Sequence, residues 1–320
     1  MPATLRQCTA LVGLSATELL RQPVCFLLTF ASVALTVLLP MAASVQLGQQ
    51  GHLARDGALA SELVFGVLLA GYASCVTLHN ECLSGTILTV LSKPVSRSAL
   101  FLAKFLAVTT ILLLFILEST AATLLGTRLS PVFFELDTLG MILVLVVPLA
   151  AFLPAAALNF YTGRSFVFWG HLFLALALIL AVVAIGFVDR EGQRIPFGSL
   201  LEWRLAPACC LEGLGLFLLA AIALSLATRL NTSPTVVILT VILFAGLISN
   251  YLISRIPQNQ ALIFALRTVL PDMQSFWPAD RLMGDGAVGF AFFRRSATYA
   301  ALYTTGVLCL GLVSFRNRQF

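Results

Sequence analysis

With 320 residues, 59% of them hydrophobic and only 10% charged, the chain cannot form an ordinary water-soluble fold, in which about 25% of residues are charged. Its mean hydropathy of +0.99 points instead to a polytopic membrane protein embedded in a lipid bilayer. The net charge of +5 is scattered along the chain, so there is no nucleic-acid footprint.

The chain opens with "ATLRQCTALVGLSATELLRQPV", which mixes apolar residues with Arg6, Glu18 and Arg21. Leu11, Leu14, Leu19 and Val24 share a broad stripe, which predicts an interfacial helix over residues 1–23, with Pro23 marking its break from the first span. A bilayer core about 30 Å thick needs about 20 apolar residues in a helix. Charge-poor intervals meet that need at Val24–Ala43, Leu63–Asn80, Leu100–Leu125, Thr138–Gly163, Ser165–Val188, Gly213–Thr228, Leu230–Ser254 and Ser296–Phe315. The first of these is too long for a signal-peptide core and reads as a retained anchor. None has the alternation of a barrel strand. The predicted fold is therefore all-α: one transmembrane bundle of about eight spans, or six plus re-entrant elements, over residues 1–320. A long loop, residues 255–295, separates the last two spans, and its "ALIFALRTVLP" suits a re-entrant or interfacial helix.

Between the second and third spans lies "HNECLSGTILTVLSKPVSRSALFLAKF", residues 79–105. Leu83, Ile87, Val90 and Leu91 recur at helical spacing, which predicts a short amphipathic helix over Glu81–Ser92. Pro94 ends it. Ser96 or Ser98 can cap the third span, and Lys104 can snorkel from its first turns. Such a crosswise helix either fills a loop or docks a soluble partner.

This segment resembles the coupling element of ABC-2 type permeases, the membrane subunits of ATP-binding cassette transporters. The resemblance rests on Glu81, the Gly85-Thr86-Ile87 step, the turn with Pro94 and Arg97, and Lys104 in the next helix. "ATELLRQPV" is similar to the family's helix entering the first span. "VLPDMQSF" with "YAALYTTGVLCLGLVSFRNRQF" is similar to the C-terminal region of its larger members, of the kind associated with multicopper-enzyme maturation. The middle of the chain departs, since many members have six spans.

The resemblance implies a coupling segment at residues 79–98, a cytosolic ABC ATPase as partner, and a second permease subunit. It also implies ATP hydrolysis in the partner rather than here, and the work of an exporter in a bacterial cytoplasmic membrane. Charge leaves orientation open. With the N-terminus inside, nine basic residues (Arg6, Arg21, Lys93, Arg97, Lys104, Arg164, Arg229, Arg316, Arg318) are cytoplasmic and the other ten are not. Because the coupling element must meet a cytosolic ATPase, the resemblance puts both termini and the 79–98 segment in the cytoplasm, and the 255–295 loop outside.

Other chemistry is sparse. No GxxxxGK[ST] phosphate loop occurs, no HExxH, and no GxSxG elbow. The three histidines and seven cysteines lack metal-ligand spacing, so no metal, cofactor or catalytic residue is expected. Cys209-Cys210 sit near a membrane edge, where redox chemistry is open to them. Glu118 lies inside the third span and is the candidate intramembrane polar site, either functional or reaching the outer interface. His171 reads as a hydrogen-bonded packing residue. Pro148 and Pro154 bend the fourth span, and Gly66, Gly71 and Ser74 permit close helix contact within the chain or at a dimer seam. The rival functions are an ion-gradient-driven secondary transporter, an intramembrane enzyme, and an ABC-coupled assembly or signalling subunit that does not transport.

Overall fold

The computed structural model describes residues 3–43, 50–83, 96–129, 138–255, 268–283 and 286–317. Among them the architecture is a helical bundle without strands, and eight of its segments are long and apolar enough to cross a membrane. Helix α1 (Ala3–Leu20) ends in a turn at Arg21 and Gln22, and α2 (Pro23–Ala43) begins at the proline. A first-position proline suits a helix start, because its missing N–H has no intrahelical acceptor there.

Helix α3 (Gln50–Ser74) runs on through a π-helical turn, Cys75–His79, to Leu83. In that turn the Asn80 N–H reaches back to the Cys75 carbonyl. Next come α4 (Arg97–Arg128), α5 (Thr138–Ala150), α6 (Phe152–Thr162) and α7 (Phe166–Gly186). The bundle is completed by α8 (Leu205–Ala227), α9 (Thr232–Arg255) and α10 (Phe290–Arg316).

The predicted span boundaries need correction wherever they stop at a charge. The predicted second span, Leu63–Asn80, lies within a longer continuous helical segment, Gly51–Cys82. This segment accommodates Arg55 because its side chain pairs with Glu202 at 3.0 Å. The sixth begins at Leu205 rather than Gly213, so Cys209, Cys210 and Glu212 lie within it. The last begins at Phe290, so Arg294 and Arg295 are helical and do not belong to the 255–295 loop. The fourth span is two helices meeting at Ala151. Pro154 has no N–H to offer the Ala150 carbonyl, and Pro148 has none for Val144, so the hydrogen-bond ladder fails on both sides of that joint. Most of the expected re-entrant segment, residues 261–267, lies outside the described residues.

α3, α4 and α8 are the most enclosed spans, whereas α5, α6 and α10 are largely open to the surroundings. Lipid tails are as apolar as leucine, so helices associate here by close packing rather than by escape from water. A Cβ on Gly66 would come 2.4 Å from Leu216 Cδ1 of α8, and one on Gly71 would come 2.8 Å from Val236 Cγ2 of α9. Ser74 Oγ donates to the Ala220 carbonyl at 3.5 Å. These small residues of α3 therefore serve packing within the chain.

At one end of the bundle, the connection between α7 and α8 folds over the helix termini. Gly192 and Gly198 take positive φ there, and the Trp203 indole N–H donates to the Gly198 carbonyl at 3.1 Å. Arg128, at the end of α4, donates to the Ile185 carbonyl and to that of Val188 at 2.8 Å. At the opposite end, the first and last helices converge on the start of α4. Lys104 Nζ donates to Ser15 Oγ of α1 at 2.8 Å, and Arg97 Nη1 donates to the Arg316 carbonyl of α10 at 3.0 Å.

Candidate functional site

The face where α1 and α10 meet the start of α4 is also where α3 ends. Ser96 caps α4, its hydroxyl accepting from the Ala99 N–H at 3.2 Å. Two turns later Lys104 reaches back. Its ammonium forms an ion pair with Glu81, in the short continuation of α3, while also holding Ser15. The pair is well shielded: the Lys104 side chain is 5% exposed and that of Glu81 16%. Beside it, His79 Nδ1 donates to the Ala227 carbonyl at 3.3 Å, which ties the end of α8 to the same layer.

Glu81, Arg97 and Lys104 thus stand at the two ends of residues 84–95. Gly85, Thr86, Ile87 and Pro94 lie within that stretch, outside the described residues. One sequence expectation is corrected here. Lys104 does not snorkel outward: Glu81 and Ser15 supply its partners inside the protein. The Glu81–Lys104 pair joins the end of α3 to the first turns of α4.

The apolar stripe expected along α1 is only partly realised. Ser15 and Leu19 are buried, whereas Leu14 is exposed beside Arg6, Thr17 and Glu18. Helix α1 packs chiefly along α4, so it is a component of the bundle as well as an edge element.

Glu118 does not reach an interface. It is 0% exposed, and neither carboxylate oxygen has a hydrogen-bond partner. Two more carboxylates that sequence reasoning misses share this condition, Glu62 on α3 and Glu212 on α8. Charge-free intervals place both just outside a span. The signal that could find them is their context, "ALASELVFG" and "APACCLEGLG", apolar or small on both sides.

His171 packs edge-on to Phe26 at 5.1 Å, and neither ring nitrogen has a partner, so its role is packing without the expected hydrogen bond. Cys209 is buried and Cys210 exposed, on different faces of α8. Among the described residues, no group of three His, Cys, Asp or Glu side chains is placed to hold a metal ion. No family model matches the chain, and no curated protein or solved structure matches it.

Proposed function

We propose that this chain is the membrane-spanning permease subunit of an ABC-2 type transporter. On this reading it is an exporter subunit in a bacterial cytoplasmic membrane, with both termini in the cytoplasm. A separate cytosolic ATPase binds and hydrolyses ATP, and a second permease subunit completes the transmembrane pathway. The chain itself catalyses nothing.

The observation that carries the reading is the Glu81–Lys104 pair with Ser15. It fixes the end of α3 against the start of α4 and against α1, so the residues that flank 84–95 on either side are joined to each other. An element held in that way can pass a displacement from a docked ATPase into three helices at once. Rigid-body movement of helices about an interface is an established route from a local ligand event to altered access. The Arg97 bond to the end of α10 extends the same layer to a fourth helix.

The test is reconstitution with a cytosolic ABC ATPase that co-purifies with this chain. Gly85→Trp should abolish the permease-dependent change in ATP turnover while leaving membrane insertion intact. Unaltered coupling would reduce the segment to a loop filler.

A second reading, an ion-gradient-driven transporter, draws support from the three buried carboxylates at Glu62, Glu118 and Glu212 and from the helix joint at Ala151. Ionisable groups and interrupted helices inside a bundle are common features of such transporters. Transport that follows an imposed ion gradient without nucleotide would favour it.

A further inference from the structure

The coupling face leaves unexplained a polar cluster in the most enclosed part of the bundle. Glu62 stands one turn before Gly66 of α3, and Glu212 one turn before Leu216 of α8, where the two helices touch; Cys209 of α8 and Ser119 of α4 adjoin Glu62. Glu62, Ser119, Cys209 and Glu212 are fully buried. Neither Glu212 oxygen has a hydrogen-bond partner, and Glu62 has only Ser119 and Cys209 as loosely placed polar neighbours. Nineteen residues of helix separate Glu62 from Glu81, and sixteen separate Glu212 from Thr228. At about 1.5 Å per residue, the acidic pair lies roughly 24–28 Å from the Glu81–Lys104 layer.

Helix α10 packs on α8 and carries Arg294 and Arg295, both exposed, near its start, and the 279–282 turn against α3 carries Asp280 and Arg281. Helix α2 packs on α3 and presents Ser32, hydrogen-bonded to Ser61, but it has no charged residue along its length. From α4 come Ser119 and Thr120, with Glu118 on the same turn; α8 contributes Cys210 besides Cys209 and Glu212 themselves. Helix α9 carries its titratable side chains, Tyr251 and Arg255, only at its end. On α3 the nearest charges are Arg55 and Asp56, about 9 Å or more toward the helix start by the same rise, and Arg55 is engaged by Glu202.

An isolated carboxylate moved out of water is very costly unless it is paired or holds a proton. Two such groups side by side must take up positive charge, and among the described residues no cation-sized donor set is assembled around them. We propose that Glu62 and Glu212 form an occluded acidic pair that binds and releases a proton within the membrane, with Ser119 available to bond whichever oxygen carries the charge. Binding forms one O–H bond on a carboxylate oxygen, and release returns that proton to water at one face of the bundle. The pair's titration is then joint, since the first proton is shared and the second enters against it. Proton binding here is independent of ATP coupling, so it stands or falls apart from the function proposed above.

The protein in lipid nanodiscs, followed by infrared spectroscopy of the carboxylic-acid carbonyl stretch at stepped pH, tests this directly. Wild type should show a band that titrates in two separate steps. Glu62→Gln and Glu212→Gln should each collapse this to a single step, and Glu118→Gln should leave the two steps in place. The amide preserves shape, and retention volume on size exclusion checks that each variant is folded. A carbonyl band that does not change from mildly acidic to alkaline pH would overturn the proposal in favour of fixed structural acids. So would single variants that each remove one component without altering the other's titration.

Discussion

Removing both members of the Glu81–Lys104 pair should cost no more than removing one. Breaking a buried ion pair by deleting one partner typically costs about 3–5 kcal/mol, whereas replacing both members by neutral residues is often close to neutral. The 16% exposure of the Glu81 side chain lets water relieve part of the stranded charge, which lowers the expected cost to about 2–3 kcal/mol. Lys104→Met keeps the apolar stem but leaves Glu81 unpaired and Ser15 without its donor. Glu81→Gln leaves the ammonium with Ser15 alone. At about 2 °C per kcal/mol for a large chain, each single variant should lower the unfolding midpoint in nanodiscs by about 4–6 °C. The double variant Glu81→Gln/Lys104→Met should fall no further than the worse single one, giving a coupling of about 2 kcal/mol in the double-mutant cycle. Costs that add to within about 0.5 kcal/mol, the behaviour of independent sites, would refute the claim that the pair is one clamp.

Gly126→Val should destabilise the bundle by about 1–3 kcal/mol, the usual cost of overpacking, because even a Cβ there would come 2.9 Å from the Thr36 carbonyl oxygen of α2. Thermal unfolding in nanodiscs measures it, and an unchanged midpoint would mean that α2 and α4 are not in close contact. Glu118→Gln should keep or raise thermal stability, since it replaces a fully buried carboxyl with neither oxygen bonded, while Glu118→Lys should lower the yield of inserted protein. Cys209 should resist all maleimides in the folded protein, whereas Cys210 should react with a lipid-soluble one, as their burial and exposure require. Formation of a Cys209–Cys210 disulfide under mild oxidation would contradict their placement on different faces of α8.

Hydropathy alone reveals the all-helical, eight-span bundle, because in hydrocarbon every backbone polar group must be satisfied within its own helix. It fails at the boundaries, and for one reason. A charge need not end a span: Arg55 is neutralised by Glu202, and Glu62 and Glu212 face other helices rather than lipid. Which face of a helix a residue occupies depends on its tertiary neighbours, and single-sequence periodicity is weak when a helix is apolar all round. The joint at Ala151 is legible from Pro148 and Pro154. The inward turn of Lys104 is not, since its partner Ser15 lies 89 positions away. Glu118 is visible as an ionisable residue in an apolar run; the Glu62–Glu212 pairing arises only when α3 and α8 pack together.

Docking of a cytosolic ATPase on the 84–95 stretch is the central claim, and site-specific photo-crosslinking reads it most directly. A photoreactive amino acid at position 85 or 87, in native membranes, should crosslink to a P-loop ATPase at near-stoichiometric yield. The yield should fall at least several-fold in the Glu81→Gln and Lys104→Met single variants, which release the ends of the stretch. Crosslinks confined to lipid or to this chain, with the ATPase present in the same membranes, would contradict the account.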